Sequence, residues 1–240
     1  MFFLSVPPGM ETTDSPPLMK GRCRMNSHHV PIAFILSLLL WSNAATRDKN
    51  VTLKWLPSDD VHEKAFVNVK ALAELKVRIP PVIDNRTNKD CIGRNIESSR
   101  YKRYVTDTDI AQWATGHVRK ILAHFKVTSY EKDADLSLQF SLVNFFVTEE
   151  SIYKGNVSFM VTAKGSNGTV IWKGVVQGDS NRWGRSFSVN NYLECICNAF
   201  VDAVYALVAN REFIAAVATW SEPPKNENQE PAPAEPSLEQ

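Results

Sequence analysis

Gly165-Ser166-Asn167-Gly168 separates two runs in which apolar side chains recur at every second position. Asn and Gly tolerate the positive φ of a tight reversal, so the pattern dictates an antiparallel hairpin of residues 156–164 and 169–177. In the first arm Val157, Phe159, Val161 and Ala163 alternate with polar neighbours. Upstream, residues 136–140 and 142–147 keep the same period of two but change phase, which predicts one long strand bulged near Ser141 or Phe145. A chain committed to such pairing needs something apolar to cover one face of its sheet.

Two helical stretches supply it. After Thr106, Asp107 and Thr108, which offer N-caps, Ile110, Trp113, Ala114, His117, Val118, Ile121, Leu122 and Phe125 recur at three- and four-residue spacing. Asn191-x-x-Glu194 resembles a capping box, with Leu193, Ile196, Cys197, Phe200, Val204, Leu207 and Val208 following on one face and Cys195 pointing outward. Asn210 can end that helix, and 213–220 add a short apolar turn or helix. Strand-like runs at 65–70, 75–79 and 126–130 complete the order, with a basic connection from Asp84 to Tyr104 and a Gly/Ser-rich loop over 178–190. The fold expected is α+β: a two-layer sandwich of a mainly antiparallel sheet of about five or six strands with two amphipathic helices on one face.

The ends of the chain read differently. Lys20, Arg22 and Arg24 precede the short apolar run IAFILSLLLW, and Ser42-Asn43-Ala44 offer small residues at a cleavage site before Ala45. The run is short of the about 20 residues that span a bilayer. Residues 1–45 are therefore read as a leader with a signal peptide, 46–63 as an extended lead-in and 64–220 as a single domain. The start stays open between Met1, Met19 and Met25, and membrane contact is expected only if the signal is not cleaved. Residues 221–240 hold five Pro and five Glu, a composition that cannot offset its own ordering entropy. Without the leader the chain has 24 Lys/Arg and 24 Asp/Glu (27 − 3 and 26 − 2), too balanced for a nucleic-acid-binding surface.

No GxSxG, HExxH, GxxxxGK[ST] or GxGxxG occurs, so no catalytic residues and no cofactor are assigned. His117 and His124 lie seven apart rather than four, and no Cys/His spacing suits a metal. Cys91, Cys195 and Cys197 outlast the leader. Pairing of Cys91 with Cys195 or Cys197 stands beside three reduced thiols as an open alternative.

The order V-I-D-N-R at 82–86, Gly93, a long amphipathic helix, Ala134-Asp135-Leu136, a hairpin and the helix of residues 191–209 resembles the YajG-like envelope lipoproteins, over roughly 75–210. The resemblance implies a non-catalytic bacterial envelope protein that binds other components. No cysteine follows the signal's apolar run, so a free periplasmic or secreted protein is expected in place of a lipid-anchored one.

Two segments carry the binding expectation. Arg86, Lys89, Arg94, Arg100, Lys102 and Arg103 oppose only Asp90 and Glu97, and Arg182-Trp183-Gly184-Arg185 sets an aromatic between two guanidinium groups. Arg and Trp dominate binding hot spots, and Arg grips phosphate or carboxylate with two parallel bonds. Arg86, Arg94, Arg100, Arg103, Arg182, Trp183 and Arg185 are therefore the candidate contacts for an envelope protein or an anionic envelope component. Asp84 and Arg86 equally suit a structural ion pair. The alternatives are an assembly scaffold that adds a strand at the edge beside residues 65–70, a small secreted enzyme, or a secreted glycoprotein modified at Asn50, Asn85, Asn156 or Asn167.

Overall fold

The expected hairpin forms: Gly168 reverses the chain at φ 82°, its amide donating to the Gly165 carbonyl (2.9 Å). The computed structural model describes residues 48–58, 69–97 and 102–221, all within one unit, Thr46–Gln240. The leader, Arg100, residues 65–68 of the expected first strand and the tail beyond Ser221 lie outside the described residues.

In chain order the elements are β1 (Lys49–Asn50), α1 (Lys70–Ala73), β2 (Val77–Arg78), β3 (Ile83–Asp84), β4 (Gly93–Asn95), β5 (Lys102–Val105), α2 (Ile110–His124), β6 (Leu136–Glu149), β7 (Tyr153–Gly165), β8 (Val170–Arg182), α3 (Val189–Val208) and α4 (Arg211–Ser221). One sheet runs β1-β5-β4-β6-β7-β8, with β2 and β3 also pairing to β6. The β6-β7-β8 meander and the β4-β5 pair are antiparallel. The short strands β2, β3 and β4 instead run parallel to β6. Helix α2 lies in the crossover between them, the long connection that parallel pairing requires. The sheet is therefore mixed. Its register slips between Leu142 and Asn144, leaving Val143 bulged and exposed, between the two positions expected for the bulge.

Aromatic contacts fix the layering. Trp113 of α2 meets Phe145 of β6 edge to face (5.6 Å), Phe200 of α3 meets Phe159 of β7 (5.3 Å), and Trp172 of β8 meets Phe213 of α4 (5.3 Å). The three helices thus share one face of the sheet. On the other face the cross-strand row Ile83-Ser141-Met160-Val175 is uncovered among the described residues, with Ile83 and Val175 exposed.

Several local expectations give way. Residues 70–73 are helical, and the expected strand at 126–130 reduces to a bridge between Val77 and Ser129. There the chain has just left α2 through Lys126 in the left-handed region (φ 63°). The basic connection conceals the β4-β5 pair, because polar Asn95 occupies an inward position and hides the alternation. Asp109, accepting from the Gln112 amide (3.0 Å), caps α2. Ser188, accepting from the Asn191 amide (3.3 Å), caps α3, so Asn191 lies inside the helix. Cys195 is buried, because β8 reaches back over α3 and its Ser180 carbonyl accepts from the Cys195 thiol (3.4 Å).

Helix α3 rests on β8 at Gly178, where a Cβ would stand 2.1 Å from the Ala203 nitrogen and 2.2 Å from the Ala199 oxygen. Backbone cannot yield as a side-chain tip can, so Gly178→Ala should destabilise the fold by about 3 kcal/mol, the upper end for overpacking. Gly116 of α2 has open space around it. Gly116→Ala should therefore stabilise by about 0.5–1 kcal/mol through helix propensity. Urea unfolding of both variants measures the contrast.

Candidate functional site

A carboxylate occupies the inward phase at the end of β6. Phe145, Val147 and Glu149 all point to the core side, and Glu149 is 1% exposed. Burying this charge is tolerable only if donors replace its water. Tyr104 of β5 donates its hydroxyl to one oxygen. The Phe187 amide (2.6 Å) and Ser186 Oγ (2.8 Å) approach the other. Ser186 Oγ also lies 2.9 Å from Glu97 and donates to one carboxylate at a time. Burial pushes the Glu149 carboxyl up, but bonds from Asn95, Tyr104, Phe187 and Ser186 outweigh it and hold it below the usual value.

Ser186 and Phe187 belong to the loop between β8 and α3, so Glu149 ties that loop to the sheet. Phe187 has φ 57°, a costly conformation for a bulky residue that persists only when its surroundings over-determine it. They do: Glu149 holds its amide, Lys49 donates to its carbonyl, and the Lys102 ammonium sits 4.1 Å from its ring centre. Tyr153 adds a further tie, donating to the Arg185 carbonyl (2.9 Å) and accepting from the Ser188 amide (2.8 Å). From this pinned loop Trp183 projects with 77% of its surface exposed, and Arg185 is exposed beside it.

The basic segment therefore meets the loop just past Arg185 at one end of the sheet, Glu97 reaching Ser186 and Lys102 reaching Phe187. The arginines themselves disperse. Arg86 is buried and grips Asp84 with two bonds (2.9 and 3.0 Å). Arg94 lies over the Phe146 ring. Arg103 reaches the Asp90 carbonyl (3.1 Å) and Asp48 (3.7 Å). Arg182, on β8 rather than in the loop, pairs with Glu194 at 2.9 Å. Of the six candidates among the described residues, Trp183 and Arg185 stand exposed in the same loop.

Glu149, Tyr104, Tyr153 and Ser186 escape the sequence reading. A signal exists for Glu149, since the period-two phase of β6 places it inward. Elsewhere, His117 stacks on Trp55 (4.1 Å), and burial pushes its pKa down to about 4, leaving a neutral packing residue. Among the described residues no group of His, Cys, Asp or Glu could hold a metal, and no single helix is long and apolar enough to cross a membrane. Cys91, Cys195 and Cys197 are free and buried, so neither Cys91–Cys195 nor Cys91–Cys197 is bonded in this structure.

No family model matches the sequence, and no curated protein matches it. The YajG-like resemblance thus rests on its short motifs. Among solved structures the chain is similar to a Xanthomonas campestris protein described as DUF330, with TM-score 0.43, 8% identity, and 72% of this chain and 96% of that one covered. It is also similar to a lipoprotein candidate from Caulobacter crescentus (TM-score 0.34, 13% identity, 53% and 89% covered). A third is the PelC dodecamer of Paraburkholderia phytofirmans (TM-score 0.32, 14% identity, 55% and 88% covered). Likenesses this distant carry no function across.

A carboxylate with a depressed folded pKa stabilises above its unfolded value, near 4.3, and loses that contribution as pH falls through the folded value. Stability should thus drop below about pH 4, and Glu149→Gln should flatten that acid limb. Asp84, held down against burial by its Arg86 bonds, keeps its own share in the variant. Equal acid slopes in variant and parent would contradict the assignment. Burial pushes the Cys195 and Cys197 thiols up to about 11 and about 12. At pH 8 both should resist iodoacetamide in the folded protein and react on unfolding.

Proposed function

We propose that this chain is a non-enzymatic exported protein of the cell envelope, holding an envelope protein or an anionic envelope component against Trp183 and Arg185. The observation that carries the reading is the pinned loop. A left-handed Phe187 held from three sides, with Arg185 and Ser188 tied to Tyr153, pins residues 185–188, and strain of that kind clusters at ligand clamps and active sites. A tryptophan presented on such a support binds with little ordering cost, which is what makes a hot spot. Export rests on the leader: basic residues, a short apolar run, then small residues before Ala45.

A second reading has its own observation. β8 is a terminal strand of the sheet. Toward its end α3 covers it, with the Asp179 amide donating to Asp202 (3.2 Å) and Ser180 accepting from Cys195. The start, where Val170 and Val175 are exposed, is open among the described residues and suits strand addition.

Photo-crosslinking distinguishes the two. A photoreactive residue at position 183 should yield an adduct with an envelope component in intact cells, and Arg185→Glu should reduce it severalfold. The same residue at position 173 should yield none. Adducts at 173 alone would favour the strand edge. Mass spectrometry of the mature protein should find its N-terminus near Ala45.

A further inference from the structure

We infer a second binding site, for a phosphoryl group, at the opposite end of β6 from Glu149. A groove of about 480 Å³ opens there on the uncovered face of the sheet, lined by Arg78, Lys132, Asp133, Ser137, Lys164 and Ser166 among others. The register builds it. Arg78 of β2 pairs with Ser137 of β6, and Ser137 pairs with Lys164 of β7, so the three stand in one row. Val77, Leu136 and Gly165, one position along each strand, lie on the buried side, which sets the row on the uncovered face. Two strand spacings separate Arg78 from Lys164, about 10 Å. Both side chains are long enough to converge over the Ser137 hydroxyl between them.

The charge balance favours an anion. Arg78, Lys132 and Lys164 face two carboxylates, and Glu131 is already bound to Arg119 (3.3 Å). That leaves three cations against Asp133. Among the described residues neither Arg78 nor Lys164 has an ion-pair partner, although like charges converging on one hydroxyl repel each other. A tetrahedral phosphoryl group presents oxygens in several directions at once: a guanidinium can grip two, an ammonium meets another, and the serine hydroxyl donates from below. A carboxylate holds its two oxygens in one plane, so it suits donors that approach from different directions less well. The groove is larger than phosphate itself, so the group it takes is attached to an organic remainder, either a soluble phosphate ester or a phospholipid headgroup.

The full-length mature protein tests this by calorimetry with sn-glycerol 3-phosphate and by co-sedimentation with vesicles of phosphatidylcholine containing phosphatidylglycerol. Binding of the free ester identifies a solute site. Binding confined to the phosphatidylglycerol vesicles identifies a headgroup site. Either supports the inference if Arg78→Gln/Lys164→Gln weakens it at least tenfold while the circular dichroism spectrum and melting temperature stay as in the parent. Failure of both probes to bind, or binding unchanged in that double variant, overturns it. Ser137→Ala, which leaves every charge in place, should weaken binding severalfold, and no change there overturns the assigned geometry. Trp183→Ala should leave binding at this groove as it is, which separates its outcome from that of the Trp183 loop.

Discussion

Everything in this fold is arranged around a helix with almost no free side. α3 buries Tyr192, Leu193, Cys195, Ile196, Cys197, Ala199, Phe200, Val201, Ala203, Val204, Leu207 and Val208, more than one amphipathic stripe can account for. The sheet covers one flank, closely enough at Gly178 that no side chain fits between strand and helix backbone. Trp55, stacked on His117 and edge-on to Phe200, covers another together with α2. The helix is a shared core element, and each layer is held in place by touching it.

The Glu149 carboxylate does for the polar end of the molecule what α3 does for the apolar middle. An ion removed from water destabilises a fold unless donors surround it, and the donors here come from β5 and the loop before α3. Satisfying one charge therefore fixes the relative position of two distant stretches of chain. The strained Phe187 backbone and the outward Trp183 are downstream of that single requirement.

Much of this architecture was legible in residue periodicity. The hairpin, the bulged strand, α2 and the one-sided helical layer follow from repeats of two and three-to-four, because each buries one regular face, and α3 shows one stripe of a wider buried surface. What escaped was short, polar or doubly buried. β4 carries Asn95 inward, so its alternation does not show. Cys195 was assigned outward because a stripe drawn from one sequence cannot reveal that a second surface waits behind it. Of the site, the sequence shows the basic segment and the Arg/Trp loop, and not that Glu97 and Lys102 reach Ser186 and Phe187 beyond it. Arginine composition alone could not tell that Arg86 would turn inward to Asp84 or Arg182 sideways to Glu194.

The lead-in strand has a consequence for the life of the chain before it is folded. Residues 49–58 are among the earliest of the domain to be synthesised. Residues 49–53 pair with β5 and Thr108, but the last of the lead-in waits longer: the Leu56 amide meets Cys197 across 141 residues, and the Ser58 amide meets Asn198 across 140. Closing so large a loop must wait for α3, and such long-range contacts make folding slow. A chain lacking α3 lacks the helix on which sheet and lead-in both pack, so its core is unfinished until the C-terminal third is made.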